Sequence, residues 1–131
     1  MVGKYKVVTL CGSTRFKDAF LEVQKKLTLE GNIVISVGLF GHSGDEEVWT
    51  PGTKVMLDDM HKRKIDMADE IFVINVGGYI GESTRSEIEY ARAAGKKINY
   101  LDAAKAWDAA NDKASAVKMN MKKRNPSHDP E

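Results

Sequence analysis

Apolar positions along the chain switch between two spacings, and the switches mark out the elements. Residues 5–11 are mostly β-branched or apolar and end at Gly12, the pattern of a buried strand. Beyond Gly12 the spacing becomes helical. Phe16, Ala19, Phe20, Val23 and Leu27 fall on one face, Ser13 or Thr14 supplies a cap, and Gly31 and Asn32 a stop, which predicts a helix to about residue 30. A short strand is expected over 33–37. Residues 38–52, with glycines at both ends, Pro51 and a run of acids, read as a long loop, and long loops in compact domains often carry function.

The second half repeats the alternation. A helix is predicted from about 53 to 67, a strand over 70–76, a glycine-bearing loop at 77–81, a helix from about Ser83 to 94 stopped by Gly95, and a strand over 97–101. Strands alternating with helices predict an α/β, Rossmann-like (flavodoxin-like) three-layer fold with a parallel sheet of four to five strands. This domain occupies 1–102. Residues 103–131 are expected to give an alanine-rich helix to about 118 and then a frayed polar tail.

Composition narrows the function classes. A chain of 131 residues fits one domain, and 20 basic against 19 acidic side chains leave a formal charge of only +1. No broad basic field is present to hold polymeric nucleic acid, so a small-molecule partner is the better expectation. The single cysteine, Cys11, cannot form an internal disulfide, and its apolar setting reads as a buried structural thiol. No apolar segment is long enough for a signal peptide or a bilayer span. A cytoplasmic protein without membrane contact is the resulting expectation.

Chemistry is expected beyond the carboxyl ends of the strands, where open parallel sheets bind ligands. Cys-Gly-Ser-Thr-Arg-Phe, 11–16, opens a helix there. Gly12 permits close backbone approach, Ser13 and Thr14 offer hydroxyls at a helix N-terminus, and Arg15 can add a charge-assisted contact to an anion. An ordinary strand-to-helix turn with a capping serine explains the same residues. The second segment, Gly-Tyr-Ile-Gly-Glu-Ser-Thr-Arg-Ser-Glu-Ile-Glu-Tyr-Ala, 78–91, has Gly81 closing a loop and Ser83 or Thr84 as a helix cap. Thr84, Glu87 and Ala91 share one face of that helix. A carboxylate one turn into a helix beside strand ends can act as a nucleophile toward an anomeric carbon. The alternative is a solvated helix whose acids complement its dipole.

Together the segments resemble a known superfamily. A strand ending in Cys-Gly-Ser-x-Arg resembles the opening of 2'-deoxynucleoside 5'-phosphate N-hydrolases. Ala-Asp-Glu-Ile-Phe-Val-Ile, 68–74, followed by a glycine-bearing loop and Glu-x-x-x-Ala, resembles the catalytic half of the nucleoside 2-deoxyribosyltransferases. The likeness spans roughly 6–101. It implies an N-glycosidase acting on a nucleoside 5'-monophosphate or nucleoside, a hydrolase in preference to a deoxyribosyltransferase; no cofactor or metal is expected. Glu87 would attack C1' of the sugar. Gly12, Ser13, Thr14, Arg15 and Phe16 would border phosphate or sugar, as would Tyr79, Gly81, Ser83 and Thr84. The resemblance also implies a homodimer or larger assembly, with sites built from two protomers.

Two departures from the family pattern stand out. Glu89 occupies the place of a small glycine two residues after the nucleophile. His61 stands where the family has an aspartate that holds and protonates the departing base. Either His61 takes that role, since a histidine can supply a proton near neutral pH, or Asp59 does. These departures motivate a second reading, a non-catalytic protein that binds a nucleotide or nucleotide-derived signal. A third is a flavodoxin-like interaction protein with an unoccupied cleft.

Other residues carry weaker signals. His42, Asp45, Glu46 and Glu47 could hold a metal, but a solvated acidic lid is the plainer account. Trp49 or Phe40 could stack on a base, or Phe40 could pack in the core. Asp69 reads as a turn residue and Asp66 as a surface partner of Arg63 or Lys64. Lys122, Lys123 and Arg124 read as a solvated basic end.

Overall fold

The computed structural model describes residues 1–107. Four strands, β1 (Val7–Gly12), β2 (Ile33–Ile35), β3 (Glu70–Ile74) and β4 (Lys97–Tyr100), form one sheet in the order β2-β1-β3-β4, and every pairing is parallel. The connections are α1 (Lys17–Leu29), α2 (Thr53–Asp66) and α3 (Glu82–Ala93). The fold is the α/β, Rossmann-like three-layer arrangement that the alternating pattern predicts.

The alternation within β1 separates the two faces. Leu10 packs with Phe20 and Val23 of α1 and with Ile74, while Phe16, Leu27, Val34, Phe40 and Phe72 close that side. Cys11 packs on the opposite face with Ile65 of α2, Ile88 and Ala91 of α3, and Ile71, Val73 and Ile80. Thr9 on that same face is fully buried, and its hydroxyl donates to the Lys64 carbonyl at 2.9 Å, so the one polar residue of the buried strand pins α2 to β1.

Strand order reverses between β1 and β3. The chain leaves β1 toward β2 through α1 and returns to the other side of β1 through α2, so a crevice opens at the carboxyl ends of these two neighbours. Gly12 sits there with φ +149, and a Cβ would lie 2.8 Å from the Ile74 carbonyl oxygen. No side chain fits at that position, which is the physical reason for a glycine at the end of β1.

Several local expectations are corrected. α1 begins only at Lys17, because Ser13 caps a 3-10 turn, Thr14–Phe16, by accepting from the Arg15 backbone N–H at 3.3 Å. Neither Ser83 nor Thr84 caps α3; the N-cap is Gly81, in extended conformation. Packing continues past residue 102. The buried Asn75 side chain donates to the Asp102 carbonyl (3.0 Å) and the Lys105 carbonyl (3.3 Å) and accepts from the Asp102 N–H (2.8 Å). The helix expected from Ala103 is a single 3-10 turn, Ala103–Lys105, where it is described. Its continuation to 118 and the basic end lie outside the described residues. Among the described residues no helix is long and apolar enough to cross a membrane.

Candidate active site

The loop 38–52 is not extended but folds into two 3-10 turns, Gly41–Ser43 and Glu46–Trp49. Asp45 organises the first by accepting the Phe40 N–H at 2.7 Å. Thr14 ties the loop to the β1–α1 turn: its hydroxyl lies 2.8 Å from His42 Nδ1 and accepts the His42 N–H at 3.2 Å, and its carbonyl accepts from the Ser43 hydroxyl at 2.9 Å. His42 and Asp45 are thereby used in holding the loop. Phe40 meets Phe20 edge-on at 5.4 Å and packs, partly buried, against the core.

Under this loop lies a cleft of about 550 Å³, counting its open mouth. Its lining is apolar along the loop, at Val37, Leu39, Val48 and Trp49, and polar along the helices, at Lys54, Asp58, His61, Ser83 and Glu87, with Leu57 on the same α2 face; Gly12, Thr14, Gly41 and His42 complete it. Trp49 is oriented by donating its indole N–H to the Gly41 carbonyl at 3.1 Å. A second groove of about 570 Å³ adjoins on the polar side and shares Asp58, Ser83 and Glu87.

The helices bring the polar wall together. Lys54, Asp58 and His61 follow at intervals of four and three on α2, so they occupy one face. Lys54 Nζ donates to both Asp58 carboxylate oxygens, at 3.1 and 3.0 Å, and to the Ser83 hydroxyl on α3 at 3.2 Å. One turn further along α3 is Glu87, whose side chain is 12% exposed and whose Oε1 lies 3.9 Å from His61 Nε2. That nitrogen is also 3.5 Å from Cys11 Sγ.

Burial pushes the His61 imidazole down to about 4, and the Lys64 cation pushes the same way; the Leu10 backbone and the Asp58 carboxylate oppose the shift without reversing it. His61 is therefore neutral near pH 7, and its approach to Glu87 is not an ion pair there. Burial thus works against the imidazolium proton source that the resemblance implies at this position. Lys64 itself donates to the Ser36 carbonyl at 2.8 Å, and its ammonium is lowered by burial while Glu87 partly compensates.

The residues expected at the site divide into two groups. Gly12, Thr14, His61, Ser83 and Glu87 converge on the cleft. Arg15, Phe16 and Tyr79 instead form their own cluster, with the guanidinium 4.3 Å from the Tyr79 ring centroid and the Phe16 ring edge-on at 5.8 Å; none lines either cavity described above. Ser13 is buried in the turn after β1, Gly81 at the N-cap of α3 and Thr84 in the first turn of that helix. Asp59 lies on the exposed side of α2, and its neighbour Asp58 is the aspartate that faces the cleft. Lys54, Leu57 and Asp58 also line the cleft, and the i, i+4 spacing of Lys54 and Asp58 is the sequence signal for it. Asp69 is structural, accepting the Val7 N–H at 2.8 Å, and Asp66 accepts from the Tyr90 hydroxyl at 2.7 Å. Glu89, in place of the family's glycine, is exposed and pairs with Arg92 at 2.9 Å, away from the cleft.

No protein-family model and no curated protein matches the chain.

Proposed function

We propose that the chain is an N-glycosidase that cleaves the base–sugar bond of a nucleoside or nucleoside 5'-monophosphate, with Glu87 as nucleophile. The observation that carries this reading is the Glu87 carboxylate in the wall of a half-apolar cleft at the β1/β3 reversal. The aromatic and aliphatic lining, Trp49 with Val37, Leu39 and Val48, suits a base, and the carboxylate of the same cleft suits a sugar carbon.

In this reading a Glu87 oxygen attacks C1', the C1'–N bond breaks with its electron pair going to the base, and a glycosyl ester remains on Glu87. Water then hydrolyses the ester, returning the carboxylate and releasing the sugar. The His61 ring lies beside Glu87, 3.9 Å from its carboxylate. The departing base, seated on the apolar lining, takes its proton from water in the cleft. Two carboxylates, Asp58 and Glu87, stand against one ammonium, Lys54, and Arg15 is turned to Tyr79. That balance favours an uncharged nucleoside over a monophosphate. Assembly of two copies belongs to the same reading; α2 leaves Val55, Met56 and Met60 exposed for it.

The test is incubation of the full chain with a panel of nucleosides and nucleoside monophosphates, read by mass spectrometry for free base. Base release that disappears in Glu87→Gln is the expected result. No release from any compound would remove the reading. The burial of His61, which disfavours its charged form, supports a second reading, a binding-only protein; thermal stabilisation by a nucleoside without product would establish that alternative.

A further inference from the structure

We propose that Cys11, His61 and Glu87 form a three-ligand site for a transition-metal ion of the zinc class, with the fourth coordination position open to the cleft. The site shares Glu87 with the glycosidase reading but does not depend on it.

The three side chains come from three different elements: the end of β1, the middle of α2 and the second turn of α3. Sγ of Cys11 is 3.5 Å from Nε2 of His61, Nε2 is 3.9 Å from Oε1 of Glu87, and all three donor atoms lie within 4.8 Å of one another. Zinc bonds of about 2.0–2.3 Å in tetrahedral directions hold neighbouring donors roughly 3.3–3.6 Å apart. The Cys11–His61 spacing already meets that distance. The Glu87 carboxylate has to close by about an ångström at most, a movement within its side-chain torsions.

The donor set selects the ion. A thiolate with an imidazole is a poor match for calcium or magnesium, which take oxygen ligands, and a good one for zinc or cobalt. Charge also balances: thiolate and carboxylate together neutralise a divalent cation, and the imidazole adds none. A neutral total suits a place where Cys11 is fully buried and His61 nearly so. Gly12, His61 and Glu87 all line the cleft, so an ion can enter from it and keep one position for water or ligand. Binding forms bonds from Sγ, Nε2 and a Glu87 oxygen to the ion, and the Cys11 thiol proton leaves to solvent.

The consequence for Glu87 follows from its lone pairs. A carboxylate oxygen bound to zinc is not free to attack a sugar carbon. Zinc is therefore an inhibitor of the proposed glycosidase, and its removal by a chelator restores activity.

Cobalt(II) titration of the reduced, metal-free full chain tests the site without turnover. Cys11 is the chain's one cysteine, so a thiolate-to-cobalt charge-transfer band reports this site alone. The expected result is such a band saturating at one ion per chain, displaced by zinc, and lost in Cys11→Ala. Glu87→Gln, which keeps the cleft's shape, should weaken cobalt binding roughly tenfold or more. A wild-type chain without the band overturns the proposal, as does a band that persists in Cys11→Ala. If Cys11→Ala does not fold, unchanged cobalt affinity in Glu87→Gln overturns it instead. A chain that binds cobalt but releases no base sinks only the glycosidase reading. Base release that is indifferent to saturating zinc sinks Glu87 as a ligand.

Discussion

The hydroxyl of Thr14 and Nδ1 of His42 are 2.8 Å apart, and this contact fastens the loop over the cleft to the turn that ends β1. Thr14 also accepts the His42 backbone N–H, so its one hydroxyl serves two partners. Thr14→Val keeps the shape and removes both bonds, at a cost of about 1–3 kcal/mol. Amide exchange at Ser43 and Val48, whose N–H groups bond inside the two 3-10 turns, should quicken more than exchange in the sheet. Equal protection in the variant would show that the loop is held by something else.

Acid should destabilise the fold through His61. Its folded value is about 4 against an ordinary 6.5, so between these limits the unfolded chain binds more protons. Stability is therefore greatest above about pH 6.5 and declines as the pH falls toward 4, by about 3 kcal/mol from this group. Thermal midpoints measured across that range should fall with acid in the wild type and fall less in His61→Gln. Parallel curves for the two proteins would contradict the burial account.

Glu87→Gln removes the nucleophile while preserving size. Base release should drop by on the order of a thousandfold or more, since the remaining cleft still binds but forms no ester. The thermal midpoint should move by only a few degrees, because Glu87 lines a cavity rather than filling the core. Activity within tenfold of wild type would assign the attack elsewhere.

Asp58→Asn tests the charge argument for substrate choice. Removing one carboxylate leaves the Lys54 ammonium without its ion-pair partner, though still donating to Ser83, and makes the cleft less hostile to phosphate. The ratio of kcat/KM for monophosphate over nucleoside should rise by roughly tenfold, an interaction of about 1.4 kcal/mol. An unchanged ratio would mean that phosphate, if used, binds away from this wall.

Gly12→Ala should be poorly tolerated. The residue has φ +149 and no room for a Cβ beside Ile74, so the substitution strains the backbone and pushes β1 from β3. A loss of about 1–3 kcal/mol is expected, visible as a lower midpoint in thermal or urea unfolding. Gly31, where a Cβ would meet nothing within 4 Å, supplies the control for positive φ without the clash.

The sequence by itself determined the layers. Unbroken apolar strands alternating with helices of one apolar stripe leave one solution, a parallel sheet covered on both sides, because each strand must bury two faces and each helix one. Gly12 and Glu87 were legible for the same local reason: one ends a strand where backbone must pass close, the other sits one turn into a helix beside a strand end. What the tertiary structure decided depends on long-range contact. Cys11, His61 and Glu87 are far apart in sequence and meet only when α2 and α3 pack on one face of β1. The same packing buries His61 and makes it neutral, turns Asp58 rather than Asp59 to the cleft, and sends Arg15 to Tyr79. Periodicity gives the face of an element; which neighbour covers that face, and how much water it excludes, is set only by the assembled layers.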